Sequence, residues 1–151
     1  MSDFSTVDEI LDYAIGMEQA AVDLYTKIAE KAANPTAKKV FQGFAAEERG
    51  HKAKLEAVKA GKKFVGSAKA VQDLKIADYL VEVDPEKVKD YQEALILGMK
   101  REKAAFKLYS DLAKVAQDDK VKQLFLALAQ EEAKHKLQFE VEYDENILTE
   151  N

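Results

Sequence analysis

The sequence of 151 residues contains no cysteine. Disulfides, zinc–thiolate modules and iron–sulfur clusters are therefore excluded from this chain, and any bound metal must be held by histidine and carboxylate side chains. Chain breakers are also scarce, with two prolines and six glycines among 34% charged and 47% hydrophobic residues. This composition is typical of a heavily charged helical protein. We expect one domain, covering residues 1–151, with a core that needs no crosslinks.

Long apolar runs and a surplus of basic residues are missing as well. No stretch approaches the ~20 apolar residues that span a bilayer, and the N-terminal residues lack a basic segment followed by an apolar one. The net charge is -5, with 23 basic residues scattered among 28 acidic ones, which argues against binding a phosphate backbone. The expectation is a cytoplasmic protein with neither a nucleic-acid partner nor a membrane partner.

Four long helices are predicted from the spacing of the apolar residues and from capping signals. Asn34-Pro35 and Asp84-Pro85 are each typical of an N-cap followed by the first helical residue, and Asp118 is a further candidate cap. The helices are expected at about 6–33, 35–60, 86–116 and 119–145.

The predicted connection between the second and third helices, residues 61–85, is too long for a tight turn between neighbours. Its apolar residues favour a crossover along the bundle that includes a short helix over 73–80. The fold prediction is an all-α, ferritin-like four-helix bundle. It consists of two helical hairpins, at about 6–60 and 86–145, joined by one long crossover.

Both histidines of the sequence stand in a Glu-x-x-His motif, once as Glu48-x-x-His51 and once as Glu132-x-x-His135. Residues three apart share one face of a helix, so each motif can present an oxygen and a nitrogen to a single point. A pair of this kind is suited to binding a metal. A lone Glu-x-x-His would otherwise be two solvated side chains on a charged helix surface.

Glutamate interrupts the apolar stripe of every predicted helix near its middle. Buried carboxylates without compensation cost several kcal/mol each, and two divalent cations would balance four of them. Glu47 and Glu131 lie about 100° off the stripes and are predicted to be flanking surface residues. The stripe positions belong to Glu18, Glu48, Glu102 and Glu132.

The two halves of the sequence match without a gap at an offset of 84 residues. This offset relates Glu18 to Glu102, Glu48 to Glu132 and His51 to His135. Two hairpins related by a pseudo-twofold axis would bring these six residues into one dinuclear site. Glu48 and Glu132 would bridge both metals, Glu18 with His51 and Glu102 with His135 would complete the two ends, and such an oxygen-rich set favours iron or manganese over zinc or copper.

Tyr25 and Tyr109 follow Glu18 and Glu102 by seven residues, two helical turns along the same stripes. Two interpretations stay open for them. They are either core aromatics with a satisfied hydroxyl or auxiliary catalytic residues that donate a hydrogen bond to a metal ligand.

At these residues the chain resembles the rubrerythrin-type, ferritin-like diiron proteins. The resemblance implies two non-haem iron ions and the reduction of hydrogen peroxide, often in a homodimer. Dioxygen as the substrate and manganese at one or both positions stay open as alternatives. The resemblance runs over Glu18 to Tyr25, Glu48-x-x-His51, the crossover, Glu102 to Tyr109 and Glu132-x-x-His135.

Two departures from that family qualify the expectation. A rubrerythrin usually carries a cysteine-ligated rubredoxin domain, so a separate electron-donor protein, rubredoxin-like or other, is expected here. It also usually carries a second glutamate one turn before the third-helix ligand, where this chain has Met99. A thioether does not replace that carboxylate, so a site of four glutamates and two histidines is expected to keep both histidines bound in both oxidation states.

Two other classes of function remain as alternatives. One is a ferritin-like iron-binding protein with ferroxidase or iron-storage activity, which would need to assemble into a cage. The other is a structural bundle that requires metal only to fold.

Overall fold

The computed structural model describes residues 7–32, 34–62, 73–75, 78–81 and 90–145. Helices account for most of these residues, and none of them lies in a strand. In chain order the helices are α1 (Val7–Lys31), α2 (Pro35–Gly61), α3 (Tyr91–Val115) and α4 (Asp119–Tyr143). The predicted all-α class and the four long helices are confirmed.

Capping side chains start two of the helices where the sequence predicts. Asn34 Oδ1 accepts a hydrogen bond from the Ala37 backbone N–H at 2.8 Å, directly before α2. Asp118 Oδ1 accepts from the backbone N–H groups of Lys120 at 2.9 Å and Val121 at 3.1 Å. These bonds satisfy N–H groups that have no partner inside the helix.

The third helix starts later than predicted. Asp90 has an extended backbone, with φ of -143°, and its side chain accepts a hydrogen bond from the Glu93 N–H at 2.8 Å. Because a helix cannot continue through an extended residue, α3 begins at Tyr91 and not at residue 86. The predicted cap at Asp84-Pro85 lies outside the described residues.

The helices pack as two hairpins that face each other. α1 lies along α2 and α3 lies along α4, and the hairpins meet through α1 against α3 and α2 against α4. One apolar cluster joins the start of α1 to the ends of α2 and α3 and the start of α4, through residues such as Leu11, Leu55, Leu112 and Phe125. A second cluster fills the opposite end of the bundle, through Ile28, Phe41, Leu95 and Phe139.

These clusters define the course of the connection between the hairpins. α2 ends beside the first cluster and α3 begins beside the second, so the chain passes from one end of the bundle to the other. This is the predicted long crossover. Of the short helix predicted over 73–80, the described part shows a turn closed by the Asp78 N–H donating to Lys75 O at 3.0 Å. The remainder lies outside the described residues.

One stripe residue was predicted wrongly. The three- and four-residue spacing from Leu95 to Ala113 predicts Phe106 in the core of the third helix, but it is 44% exposed. The nearby residues Ala105 and Leu108 are fully buried instead. Within the described part of the chain, no helix combines the length and apolarity that a bilayer span requires.

Candidate metal centre

The six residues predicted as metal ligands meet between the two apolar clusters. Each helix contributes one glutamate at mid-length, and α2 and α4 each add a histidine from the next turn. The four glutamates have no exposed surface, and the histidines are 4% and 2% exposed. These residues are Glu18, Glu48, His51, Glu102, Glu132 and His135.

Their donor atoms form two overlapping groups. Within each group the atoms, one from each residue, lie within 4.8 Å of one another. The first group consists of Glu18, Glu48, His51 and Glu132, and the second of Glu48, Glu102, Glu132 and His135. Glu48 and Glu132 belong to both groups, which is the arrangement expected of bridging carboxylates. The structure therefore brings together every residue of the predicted ligand set.

The two imidazoles present the same nitrogen to the centre. His51 Nδ1 lies 3.3 Å from Glu132 Oε1 and 3.7 Å from Glu48 Oε1. His135 Nδ1 lies 3.0 Å from Glu48 Oε1 and 3.6 Å from Glu102 Oε1. Each imidazole thus faces carboxylates of both hairpins.

Several of these buried donor atoms have no hydrogen-bond partner among the described residues. They are Glu18 Oε2, both carboxylate oxygens of Glu48, Glu102 Oε2, Glu132 Oε1 and the Nδ1 atoms of both histidines. Buried polar atoms are normally paired, so such a cluster calls for a binding partner. Carboxylate oxygens with one imidazole nitrogen on each side suit iron or manganese. The residues present fit two metal ions.

Each predicted auxiliary tyrosine is fully buried and reaches across to the other hairpin. The Tyr25 hydroxyl on α1 donates a hydrogen bond to Glu102 Oε1 on α3, and the Tyr109 hydroxyl on α3 donates to Glu18 Oε1 on α1. Burial raises the pKa of both phenols well above the usual value, so both hydroxyls remain protonated donors. The two hydroxyls therefore tie the hairpins together at the site.

Glu47 has a contact that the sequence did not predict. Its side chain is 51% exposed, as expected for a flanking residue, yet its Oε2 is hydrogen-bonded to His135 Nε2. The bond leaves Nδ1 of that imidazole directed at the centre. The Phe44 ring stacks on His135 with ring centroids 4.1 Å apart. Glu131, the counterpart of Glu47 in the repeat, lies 3.8 Å from Lys134 on its own helix, so the two ends of the site differ.

Arg101 is the central residue that the sequence prediction missed. It is 2% exposed, and its guanidinium contacts all four glutamates of the centre. Nη1 donates hydrogen bonds to Glu102 Oε1, at 3.2 Å, and to Glu132 Oε2. Nη2 lies 3.2 Å from Glu18 Oε1 and 3.0 Å from Glu48 Oε2.

A second inward stripe on α3 was the available signal for Arg101. Its members follow one another at three- and four-residue steps, and Arg101 is the only charged one. The other members are Ala94, Gly98, Ala105, Leu108 and Leu112, all buried. The corresponding position of α1 is the uncharged Met17, so the residue is not part of the repeat.

The carboxylates shift the pKa of both imidazoles upward. Burial opposes a charged imidazole, but the contacts with Glu132 and Glu48 outweigh it and raise the pKa of His51 to about 9. For His135, contacts with Glu102 and Glu48 likewise outweigh burial and raise its pKa to about 11. A protonated imidazole cannot bind a metal, so metal binding must release protons.

Burial raises the pKa of the Glu18 and Glu132 carboxyls well above the usual range, although the guanidinium of Arg101 acts against this. Glu48 differs from them. Burial acts to raise its pKa too, but the guanidinium of Arg101, together with close contacts to Glu18, His135 and His51, outweighs burial and holds its pKa well below the usual value. The site thus separates the acidities of chemically identical side chains, which is common at functional sites.

Comparison with solved structures supports the fold. A hypothetical protein from Pyrococcus furiosus matches with a TM-score of 0.76, covering 92% of this chain and 89% of that chain at 23% identity. This likeness concerns the fold alone, and it agrees with the ferritin-like bundle predicted from the order of the helices. Comparison with curated proteins gives no match.

The family comparison agrees with the resemblance seen in the sequence. The rubrerythrin family profile matches residues 9–143, a range that contains nearly all of the four helices of the site. Within this range lie both Glu-x-x-His motifs, both tyrosines and the buried glutamate cluster, a set compatible with a diiron centre. The chain belongs to the rubrerythrin family.

Proposed function

We propose that this protein is a diiron oxidoreductase that reduces hydrogen peroxide, or dioxygen, at the candidate metal centre. The observation that carries the proposal is the pair of overlapping donor groups that share Glu48 and Glu132. Two ions at such positions would share two carboxylates and be held close together. Closely spaced metals suit a reaction that needs two electrons at one place.

Each proposed ligand has a defined role. Glu48 and Glu132 would bridge both metals. Glu18 with His51 would complete one end, and Glu102 with His135 would complete the other. Iron is preferred over manganese because the chain belongs to the rubrerythrin family, while the donor chemistry alone suits both metals.

When bound, two ferrous ions supply the two electrons that, with two protons, convert one hydrogen peroxide molecule to two water molecules. The protein supplies the position of the ligands. The Tyr25 and Tyr109 hydroxyls fix the orientation of Glu102 and Glu18 from opposite hairpins. Glu47 fixes the imidazole of His135 through the nitrogen that faces away from the centre.

Burial gives the centre two further properties. The apolar clusters on both sides exclude bulk water, which strengthens every electrostatic interaction inside the site. Tyr25 and Tyr109 are protonated donors beside the ligands. Each is placed to stabilise negative charge that develops on a neighbouring oxygen.

The electrons that return the centre to its reduced form are proposed to come from a separate protein. The chain has no cysteine with which to hold a rubredoxin-type iron. A rubredoxin-like protein is one candidate donor. A homodimer in the cytoplasm is the proposed setting.

The test is anaerobic loading with ferrous iron, followed by addition of peroxide and, separately, of oxygen, with a reductant in excess. We expect two iron ions per chain and the consumption of many equivalents of peroxide per centre while the iron is retained. Glu132→Ala should lose both ions, because it removes a proposed bridge. The matched control is Glu131→Ala, the same change at the partly exposed neighbouring residue, which should bind two ions.

Two results would contradict the proposal. A plateau at one iron per chain or none would exclude a dinuclear centre. Accumulation of ferric mineral in a large assembly, without peroxide turnover, would favour iron storage instead. Size-exclusion chromatography of the loaded protein separates a small oligomer from a cage.

A further inference from the structure

The guanidinium of Arg101 is connected to both hairpins at once. One amino group, Nη1, hydrogen-bonds to the α3 and α4 carboxylates, Glu102 and Glu132. The other, Nη2, lies 3.2 Å and 3.0 Å from the α1 and α2 carboxylates, Glu18 and Glu48. A planar group with a fixed fork suits this arrangement, since one cation reaches four carboxylates from a single position.

We propose that Arg101 and the metal pair are alternative occupants of this carboxylate pocket, so that Arg101 must withdraw for metal to bind and thereby sets the affinity for metal. This inference rests on the proposed metal site and adds a competitor built into the chain.

The first reason is that both occupants use the same four carboxylates. The oxygens contacted by Arg101 belong to all four glutamates, including Glu48 and Glu132, which lie in both donor groups. A divalent ion coordinated by these carboxylates would lie within a few ångströms of the guanidinium. Like charges at that separation repel strongly in a buried site, where water does not screen them.

The second reason is the balance of charge. Four carboxylates are matched by two divalent ions, and the guanidinium is then in excess. Arginine stays protonated in proteins, so it cannot relieve the excess by losing its proton. It can do so only by moving away.

The third reason is that a path for this movement exists. Arg101 also lines a cavity of about 360 Å³ between α1 and the described part of the crossover. Gly16 and Met17 line the same cavity, together with Tyr79. At Gly16 a Cβ atom would meet nothing within 4 Å, so the α1 wall is open there. The long arginine side chain can reach such a space while its Cα stays in place.

The experiment compares Arg101→Gln and Arg101→Lys with the wild type by titration with cobalt(II), a divalent probe that accepts carboxylate and imidazole ligands. Arg49→Gln is the matched control, because it removes the same charge from the only other arginine, which is exposed and lies between Glu48 and His51. Thermal unfolding is measured with and without cobalt for each protein.

We expect Arg101→Gln to bind two cobalt ions at least about tenfold more tightly than the wild type, because metal no longer displaces charge-assisted hydrogen bonds. Its cobalt-free form should unfold at a lower temperature, and cobalt should raise its unfolding temperature by more than in the wild type. Arg101→Lys, which retains the charge but not the fork, should bind with intermediate affinity. Arg49→Gln should match the wild type.

The outcomes distinguish this proposal from the proposed function. Equal or weaker cobalt binding by Arg101→Gln, with two ions still bound by the wild type, would overturn the role of Arg101 and leave the metal site intact. No binding by any of the four proteins would overturn both. If Arg101→Gln does not fold, Arg101→Lys decides, and binding no tighter than in the wild type overturns the proposal.

Discussion

Tyr109→Phe removes a single oxygen atom at the boundary between the two hairpins. The hydroxyl donates a hydrogen bond to Glu18 Oε1, and both side chains are fully buried. Without it, that oxygen keeps only Arg101 Nη2, at 3.2 Å, and Glu18 Oε2 already has no hydrogen-bond partner among the described residues. The ring is retained, so the change in packing is small.

The expected loss follows from the burial of the acceptor. Removing the donor leaves a buried oxygen that cannot turn to water, which costs about 1–3 kcal/mol. The free energy of unfolding should fall by about that amount, which lowers the unfolding temperature of a chain of this size by roughly 2–12 °C. Tyr25→Phe, the equivalent change in the other half, should have the same effect.

The measurement is denaturation by urea and by heat, followed by circular dichroism, of protein prepared without metal. Tyr143→Phe is the control, since its hydroxyl accepts a hydrogen bond from the Gln92 side chain at 3.3 Å in an exposed position. The control should change the stability by less than about 0.5 kcal/mol. If Tyr109→Phe changes the stability no more than Tyr143→Phe does, the hydroxyl–carboxylate bond does not hold the hairpins together.

Three further predictions concern other positions. Gly98→Ala should destabilise the fold by about 1–3 kcal/mol in thermal unfolding, because the new methyl group would overlap the Phe139 ring, whereas Gly43→Ala, with open space around it, should not. The pKa of His51 is raised from about 6.5 to about 9 in the folded protein, so protonation of this imidazole stabilises the metal-free fold. This contribution should be complete below about pH 6.5 and should be lost as the pH rises through about 9. Urea denaturation across this interval checks the sign, and a rising stability would contradict it. Both histidines should stay on the metals in oxidised and reduced crystals, whereas Met99→Glu should allow one metal to change ligands.

The proposed metal ligands could be predicted from the sequence because they recur at the three- and four-residue spacing of a helix. Glu18 and Glu132 interrupt apolar stripes, and a repeat at a fixed offset pairs them with Glu102 and Glu48. Burying a charged side chain in the core costs free energy. A glutamate in an apolar stripe therefore indicates that an opposite charge or a metal ion compensates it. All four are fully buried in the structure.

Helical spacing did not predict the burial or the contacts of three residues, Arg101, Glu47 and Phe106. Each depends on the rotation of a helix about its own axis, which stripe patterns define only coarsely. Arg101 lies one residue before a ligand and outside the predicted stripe, yet it is buried, whereas Phe106 fits the stripe and faces outward. Glu47 is exposed as predicted, but its contact with His135 is made across two helices that lie far apart in the sequence.

The first residue of α3 could not be predicted from the sequence because two capping signals compete. Asp84-Pro85 and Asp90 both offer a capping carboxylate, and local preference alone does not decide between them. The structure places the cap at Asp90, where Tyr91 begins the helix beside the second apolar cluster. Tyr91 packs against that cluster, which is a tertiary contact that the capping signal does not contain.

The crossed tyrosines also bear on how the molecule folds. The bonds from Tyr25 to Glu102 and from Tyr109 to Glu18 join residues 77 and 91 positions apart, whereas each hairpin forms through contacts between helices that are adjacent in the sequence. Contacts across long loops carry the larger entropy cost of closure and tend to form late. We therefore expect refolding to pass through two preformed hairpins, with the phenol hydroxyls finding their carboxylates only when the hairpins dock.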